Sequence, residues 1–295
     1  MMPDEKACLL RFENVGVVFQ DGTQALDGVS FEMREGETRI LMGAAGSGKT
    51  VLLKAAMGLI PSTTGRIFLF GDDITGKPEP ELFGLRSKIG MLFQESALFD
   101  SMTVAQNVAY PLLNQKAIKM PRDKMEPAVR DSLQFVELEQ TMGFYPSELS
   151  GGMRRRAAIA RAVVNKPPLL LYDSPTAGLD PITAHTIMAL IIKERDVDNT
   201  TAIVVTYRYQ DGNLVANFRY NAKSGRLDPV EKTDPVEKTG PVEKTGPAER
   251  KTGTNTVFMV LREGRLIFEG NQTDLESSTD PYISKFVKLP EKDAA

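Results

Sequence analysis

Two kinds of hydrophobic periodicity alternate along the chain. Short apolar runs bounded by turn residues predict strands at residues 65–70, 89–93, 169–172 and 202–206. Apolar positions that recur every three or four residues predict helices at 125–136, 154–164 and 184–195. Strands that alternate with helices in this way favour an α/β fold built on a largely parallel sheet.

The two ends of the chain show strand and hairpin patterns instead. Residues 10–41 alternate apolar and polar positions around two turns, Asp21-Gly22 and residues 34–37. Residues 256–268 contain two apolar runs separated by Glu263-Gly264-Arg265, which is typical of a tight hairpin.

A six-residue repeat interrupts this pattern. The unit Asp-Pro-Val-Glu-Lys-Thr begins at Asp228 and recurs at Asp234 and Gly240, with a degraded copy at Gly246. A proline in every unit removes a backbone donor, and one valine per unit offers little apolar surface to bury. We predict that residues 222–254 are a disordered or polyproline-like insertion, or a partner-binding tether, within one domain. That domain is expected to span residues 8–288, with a helical part at about 96–165 and a tail at 289–295.

Composition narrows the class of protein. The 295 residues are 41% hydrophobic and 25% charged, with a net charge of −3, so no basic excess suggests a nucleic-acid partner. The single cysteine, Cys8, excludes an intramolecular disulfide. No apolar run approaches the roughly 18 residues of a membrane helix, and the N-terminus has no signal-peptide pattern. We expect a cytoplasmic protein whose role at a membrane requires a partner.

One octapeptide indicates nucleotide binding. It fits G-x-x-x-x-G-K-[ST] between an apolar strand pattern and the start of a helix, and consists of Gly43, Ala44, Ala45, Gly46, Ser47, Gly48, Lys49 and Thr50. Backbone N–H groups of such a loop surround phosphate oxygens, and the helix N-terminus adds partial positive charge. Lys49 would reach the β- and γ-phosphates, and Thr50 would bind Mg²⁺. A glycine-rich turn with an unrelated lysine is the alternative, but the flanking elements argue against it.

Further motifs follow in a fixed order. The segment 149–153, Leu-Ser-Gly-Gly-Met, resembles the signature motif of ABC-type ATPases. The segment 169–173 is similar to a Walker B strand, 177–180 to a D-loop, and Gln94 to the Q-loop position. The resemblance covers nearly the whole chain apart from the repeats, and it implies a P-loop NTPase fold: a RecA-like core sheet, a helical signature subdomain and a small antiparallel β subdomain.

The resemblance also implies roles for individual residues. ATP and Mg²⁺ would be the ligands, with Asp173 and Gln94 joining Thr50 around the metal, and Phe19 stacking on adenine. Gln94 would also sense the transmembrane partner. The resemblance also implies a dimer of ATPase subunits, either a homodimer or a heterodimer. In that dimer, four residues of this chain would complete the nucleotide site of the other subunit: Ser150, Gly151, Gly152 and Asp180.

The subfamily is indicated by two segments. Residues 91–112 and 280–287 resemble the Mla/Mce-type ATPases, which energise lipid movement. This resemblance implies a phospholipid or other hydrophobic substrate, a transmembrane permease and an Mce-domain lipid-binding protein as partners, and a location on the inner face of the cell membrane.

Two positions depart from the family pattern. The family has Glu directly after the Walker B Asp, where this chain has Ser174, and it has His at the position of Tyr207. A serine hydroxyl is not basic near pH 7, and loss of a general base typically lowers a rate by about 10²- to 10⁴-fold. The altered catalytic set is therefore Gln94, Asp173, Ser174 and Tyr207. The only histidine, His185, is expected to be a surface residue.

Three functions remain open from the sequence. The chain is expected to be a transporter ATPase that hydrolyses ATP slowly alone or together with a partner subunit. It could instead be a nucleotide-gated regulatory subunit without hydrolysis, or a non-transport ABC protein. The chain has a single compact ATPase domain and no heptad repeat of the kind that forms coiled coils, which disfavours a non-transport ABC protein.

Overall fold

The computed structural model describes residues 8–114, 120–230 and 254–287. Its strands are β1 (Cys8–Val18), β2 (Gln24–Arg34), β3 (Thr38–Met42), β4 (Thr64–Leu69), β5 (Asp72–Asp73), β6 (Ile89–Leu92), β7 (Leu169–Asp173), β8 (Thr201–Val205), β9 (Phe218–Asn221), β10 (Arg226–Pro229), β11 (Thr256–Arg262) and β12 (Arg265–Gly270). Its α-helices are α1 (Lys49–Ala56), α2 (Glu79–Arg86), α3 (Val104–Asn114), α4 (Arg122–Phe135), α5 (Gly151–Val163), α6 (Pro181–Asp198), α7 (Tyr209–Asn217), α8 (Gln272–Glu276) and α9 (Pro281–Val287). Two short 3₁₀ helices span Glu139–Thr141 and Pro146–Glu148.

The central sheet has six strands in the order β12-β11-β3-β8-β7-β6. All neighbours pair in parallel except β12, which forms the predicted antiparallel hairpin with β11 at one edge. Val205 at the end of β8 pairs with Leu41 of β3 on one side and Asp173 of β7 on the other. The loops that follow β3, β7 and β8 therefore lie side by side at the carboxyl edge of the sheet, where α/β proteins bind ligands.

Both faces of this sheet are covered, which explains the continuous apolar runs of β3, β7 and β8. Ile40, Met42 and Val204 face a hydrophobic core shared with helices α3 to α6. Leu41 and Ile203, on the opposite face, join a second core with α1 and the four-stranded antiparallel sheet β2-β1-β4-β5. The alternating α/β pattern, the strands near 65, 89, 169 and 202, and the helices near 125, 154 and 184 are confirmed.

A hairpin lies inside the range predicted to be an insertion. β9 pairs with β10 in an antiparallel register, and residues 222–225 form the turn between them. Phe218, Tyr220 and Leu227 pack against the core, and the Asn221 side chain accepts hydrogen bonds from the backbone of the turn. Residues 222–230 are thus ordered, which corrects the predicted start of the insertion. These three apolar residues lie just before the repeats, and the regular proline spacing of the repeats led to the predicted insertion starting too early. Residues 231–253 and the predicted tail at 289–295 lie outside the described residues.

Within the described ranges, no helix combines the length and apolar character needed to cross a membrane.

Candidate functional site

The predicted phosphate loop connects β3 to α1 and takes backbone conformations that favour glycine. Gly43, Gly46 and Gly48 all have positive φ angles, and Gly48 immediately precedes α1 with φ of 104°. A Cβ on Gly43 would lie 2.3 Å from the carbonyl oxygen of Leu261, and one on Gly48 would lie 2.4 Å from that of Ala25. The glycines are therefore required both by conformation and by the close approach of two neighbouring strands.

Lys49 holds the two sides of the loop together. Its ammonium donates hydrogen bonds to the carbonyl oxygens of Gly43 at 2.8 Å and Ala44 at 2.6 Å, and to the Ser47 hydroxyl at 3.3 Å. Burial lowers the pKa of Lys49, and the carboxylate of Asp173 opposes that shift. The ammonium is therefore a partly desolvated cation inside the loop, where phosphate oxygens could replace its carbonyl partners.

Thr50 and Asp173 meet at the bottom of the site. The Thr50 hydroxyl donates a hydrogen bond to Oδ2 of Asp173 at 2.8 Å, although the two residues are 123 positions apart. Asp173 is buried at the end of β7. A hydroxyl and a carboxylate beside a phosphate loop are hard oxygen donors, which fit Mg²⁺ together with phosphate oxygens and water. Bound there, Mg²⁺ would neutralise charge on the β- and γ-phosphates.

The back of the loop is fixed by residues from the C-terminal part of the chain. The backbone N–H of Gly264 donates to the carbonyl oxygen of Ser47 at 3.1 Å. The hydroxyl of Tyr282 accepts a hydrogen bond from the backbone N–H of Ala44 at 2.9 Å and donates one to the carbonyl oxygen of Leu261 at 3.2 Å. Helix α9 is thereby tied to the phosphate loop, a contact that no local motif predicts.

Ser174 occupies a strained position next to the carboxylate. Its backbone has φ of 52°, a conformation uncommon outside glycine. Its N–H donates to the carbonyl oxygen of Val205 at 3.0 Å, and its hydroxyl donates to Oδ1 of Asp173 at 3.2 Å. The Ser174 hydroxyl is thus a hydrogen-bond donor to the Asp173 carboxylate, not a proton acceptor at this position.

Tyr207 follows β8 and is 54% exposed. Within the described residues its hydroxyl has no hydrogen-bond partner. The residue before it, Thr206, is buried and donates its hydroxyl proton to Oδ2 of Asp211 at 2.7 Å. Thr176, two residues after Ser174, donates to the same oxygen at 2.6 Å. Asp211 is only 2% exposed, and it therefore links the loop after β7 to the loop after β8.

Gln94 lies in the loop after β6, and its backbone is held by Arg155. The guanidinium of Arg155 donates to the carbonyl oxygens of Phe93 at 3.2 Å, Gln94 and Ala177 at 3.3 Å. Burial lowers the pKa of Arg155, and Asp173 opposes this shift. Taken alone, the run of three arginines would be interpreted as a solvated face, yet Arg155 is only 6% exposed. It joins the predicted Q-loop to the predicted D-loop.

The signature and D-loop residues lie beside each other. Ser150 precedes α5, and its hydroxyl accepts a hydrogen bond from the N–H of Met153 at 3.2 Å, while Gly151 begins the helix. A Cβ on Gly152 would lie 2.6 Å from Cγ2 of Thr183, so the beginnings of α5 and α6 are in close contact. Asp180 accepts hydrogen bonds from the first turn of α6, and those from Thr183 lower the pKa of its carboxyl group.

Phe19 lies in the turn between β1 and β2 and is 40% exposed. Its backbone N–H donates to the carbonyl oxygen of Thr23, and its carbonyl oxygen accepts from Gly22. The strand that follows this turn carries Ala25, which packs against Gly48 of the phosphate loop. The Phe19 ring is exposed, and its stacking on adenine stays a prediction.

Comparisons with known proteins agree with this geometry. The family model described as "ABC transporter" matches residues 26–177. Among relatives, the methionine import ATP-binding protein MetN of Corynebacterium efficiens is 36% identical over 275 residues, which is 92% of this chain and 76% of that protein. MetN of Carboxydothermus hydrogenoformans is 40% identical over 184 residues, 62% of this chain and 54% of that protein. The chain therefore spans between about half and three quarters of the relatives named here.

Two solved structures share the fold. The ATP-binding cassette MJ0796, in a dimeric post-hydrolysis state bound to ADP and Pi, superposes with a TM-score of 0.69 at 27% identity, covering 89% of this chain and 98% of that one. The structure of cbiO1 from Clostridium perfringens, part of the ABC transporter complex cbiONQ, gives a TM-score of 0.71 at 26% identity, covering 92% and 91%. The predicted fold class is confirmed. The relatives named above are methionine import proteins and do not support the narrower Mla/Mce-type resemblance.

Proposed function

Because this chain belongs to the ABC transporter family, we propose that it is the ATP-binding subunit of an importer, with methionine or a related amino acid as the transported substrate. The relatives of this chain that are named as methionine import proteins support the substrate. The observation that best supports the activity is the hydrogen bond from Thr50 to Asp173, because it brings a hydroxyl and a carboxylate that could bind Mg²⁺ together beside Lys49. This subunit binds MgATP and does not itself contact the transported molecule.

Two copies of the cassette complete the nucleotide sites in this proposal. Ser150 and Gly152 of one subunit would face the γ-phosphate held by Lys49 of the other, because helix N-termini attract anions. The contact between Gly152 and Thr183 would let Asp180 and the signature segment move as one surface. The dimeric form of the structurally similar cassette MJ0796 supports this arrangement.

A groove beside Gln94 is the proposed docking site of the transmembrane partner. It has a volume of about 370 Å³ and lies between β6 and α3, with Phe93, Phe99 and Tyr110 in its lining. The ring centroids of Phe99 and Tyr110 are 4.6 Å apart, so the two rings form an aromatic surface in this groove. Arg155 donates hydrogen bonds to the carbonyl oxygen of Phe93, which lines this groove, and to that of Ala177, so movement of the partner would reach the loop after Asp173.

Hydrolysis is proposed to be slow for this subunit alone. The Ser174 hydroxyl donates a hydrogen bond to Asp173 and is not basic near pH 7, so it does not act as the base that activates water. Tyr207 could donate a hydrogen bond to a γ-phosphate, with a reach that differs from that of histidine. This chain retains the nucleotide-binding groups. It could use them in a mixed dimer with a second subunit that has a complete catalytic set, or as a regulatory subunit that responds to ATP binding alone.

A lipid substrate is the second candidate. The resemblance of residues 91–112 and 280–287 to Mla/Mce-type ATPases favours it, and an Mce-domain protein would then be a further partner. In both cases the chain would act at the cytoplasmic face of the cell membrane, through its permease.

Reconstitution tests the proposal. The tagged chain is purified together with its membrane partner, placed in proteoliposomes, and assayed for ATP-dependent methionine uptake and for phospholipid transfer. Methionine uptake that is lost with Lys49→Ala supports the proposal. Phospholipid transfer without methionine uptake would instead establish the lipid candidate and contradict the methionine assignment.

A further inference from the structure

A second cavity lies away from the phosphate loop, against the β9–β10 hairpin. Its volume is about 380 Å³, which is within the roughly 300–1,000 Å³ typical of small-molecule pockets. One wall is α6, another is the hairpin, and the third is the end of α4 together with Arg156 of α5. Apolar side chains, among them Val136, Leu190 and Phe218, form much of its lining.

Cationic groups surround this apolar lining. The Lys193 ammonium lies 4.2 Å from the ring centroid of Phe135 and 5.5 Å from that of Tyr220. It donates one hydrogen bond, to the carbonyl oxygen of Phe135 at 3.2 Å, so two of its three N–H groups have no partner in the described chain. Two aromatic rings and one carbonyl therefore hold the Lys193 charge at the cavity wall, and two of its N–H groups remain available to a ligand.

Three further nitrogen-bearing side chains line the cavity. One terminal nitrogen of Arg156 donates to the carbonyl oxygen of Val136 at 3.0 Å and lies 3.9 Å from the carboxylate of Glu137. In the part of the chain that the structure describes, the side chains of Arg226 and His185 have no hydrogen bond or ion pair. His185 is exposed, as predicted.

The charges at this cavity are unbalanced. Glu137 is the only acidic residue in the described lining, and its side chain is 83% exposed, so solvent screens its pairing with Arg156. Neither Lys193 nor Arg226 forms a salt bridge with a carboxylate among the described residues, and Glu194 acts on Lys193 only through longer-range attraction. An acid group with an apolar body would satisfy the free donors and cover the apolar lining at the same time.

We propose that this cavity binds a small amphipathic anion, a molecule with one acid group on a short apolar body. The cavity lies between two helices that lead to predicted nucleotide-site segments. Helix α5 begins at the signature segment, and α6 directly follows Asp180. A bound anion would bridge these two helices and thereby alter ATP turnover. Binding is independent of the proposed transport function, whereas the effect on turnover rests on it.

Octanoate is the probe, with acetate and octylammonium as matched ligands that lack the apolar chain or reverse the charge. Isothermal titration of the full chain should show saturable one-to-one binding of octanoate, with at least tenfold weaker binding of the other two. Saturating MgATP should not displace octanoate. Absence of saturable binding, equal binding of octylammonium, or displacement by MgATP would each overturn the proposal.

Two variants locate the site. Arg226→Glu should weaken octanoate binding at least tenfold, while Lys223→Glu, an exposed residue in the turn of the same hairpin, should leave it unchanged. Ala189→Phe fills the cavity from α6 without changing a charge and should also abolish binding, which guards against a folding defect in the first variant. Binding retained in both Arg226→Glu and Ala189→Phe would overturn the site.

The coupling to turnover has its own readout. In the assembled transporter, octanoate should change the ATP turnover of the unmodified protein at least twofold and leave that of Arg226→Glu unchanged. Unchanged turnover despite confirmed binding would overturn the coupling, and it would leave the transport function itself unaffected.

Discussion

The hydroxyl of Tyr282 accepts a hydrogen bond from the backbone N–H of Ala44 at 2.9 Å, across 238 positions of sequence. Because the same hydroxyl donates to the carbonyl oxygen of Leu261, it fixes the beginning of the phosphate loop against β11 and α9. The C-terminal helix thus takes part in shaping the site in which Lys49 lies.

Tyr282→Phe should weaken MgATP binding about fivefold, since a net hydrogen bond contributes about 1 kcal/mol. The ring and its edge contact with Phe286 remain, so the melting temperature should change little. Fluorescent-nucleotide titration measures the affinity. Tyr110→Phe is the matched control, because that ring packs on Phe99 in the groove beside β6. Equal affinity in the two variants would show that the Tyr282 hydroxyl does not position the loop.

Asp211→Ala should separate catalysis from binding. One carboxylate oxygen of Asp211 accepts hydrogen bonds from both Thr176 and Thr206, and an alanine side chain has no acceptor for either one. We expect turnover to fall about tenfold in the Ser174→Glu background. Displaced loops around the γ-phosphate need to raise the activation free energy by only about 1.4 kcal/mol for that change. MgATP affinity should stay within about twofold, since Lys49 and Thr50 are untouched.

Asp198→Asn, which removes a surface ion pair with Lys166, is the control for the Asp211 variant. A loss of nucleotide affinity that parallels the loss of turnover would mean that Asp211 supports the fold in general and not the two loops.

Ser174→Glu should raise ATP turnover by about 10²-fold or more, because it supplies a base next to Asp173. Tyr207→His should add to this gain non-additively, since both residues act on one water and one γ-phosphate. Single-turnover hydrolysis by the purified chain is the measurement. Turnover of several per second by the unmodified protein, free of contaminating ATPase, would contradict the missing-base argument.

Glu194 makes stability depend on pH. It is 2% exposed, one of its carboxyl oxygens lacks a partner in the described chain, and burial raises its pKa to about 7. The neighbouring Asp198 raises it further, while Lys166 and Lys193 oppose the shift. A folded pKa above the unfolded value means that the folded state binds the proton more tightly, so stability decreases as pH rises from about 4.5 to about 7.

Glu194→Gln should therefore stabilise the protein at pH 8 relative to the unmodified chain, and have little effect at pH 5. The difference is a few kcal/mol at most, since each pKa unit corresponds to about 1.4 kcal/mol. Urea unfolding at the two pH values measures it, with Glu139→Gln, a more exposed acid, as the control. A pH-independent difference would show that Glu194 does not titrate in this range.

Local signals explain what could be predicted from the sequence. The phosphate loop is eight consecutive residues, and strand β7 is an apolar run that ends in a carboxylate, so both could be recognised without tertiary information. Because parallel strands present their carboxyl ends at one edge, the meeting of Thr50 with Asp173 follows once the strands are assigned.

Long-range contacts explain what could not be predicted. Arg155 belongs to a run of arginines that looks solvent-exposed, and only the approach of the loops after β6 and β7 buries it. Tyr282 has no motif of its own in the phosphate loop, which it contacts across the whole chain. The β9–β10 hairpin depends on three apolar anchors that lie next to the proline repeats, where the repeat pattern masked them.

The central claim is that Lys49, Thr50 and Asp173 form a MgATP site, and a nucleotide titration tests it most directly. The dissociation constant of a fluorescent ATP analogue is measured with Mg²⁺ for the unmodified chain, for Lys49→Ala, and for Lys54→Ala on the same helix as a control. The account predicts saturable binding that Lys49→Ala weakens at least tenfold and Lys54→Ala leaves unchanged, because only Lys49 is inside the loop. Equal affinity of Lys49→Ala and the unmodified protein would contradict it.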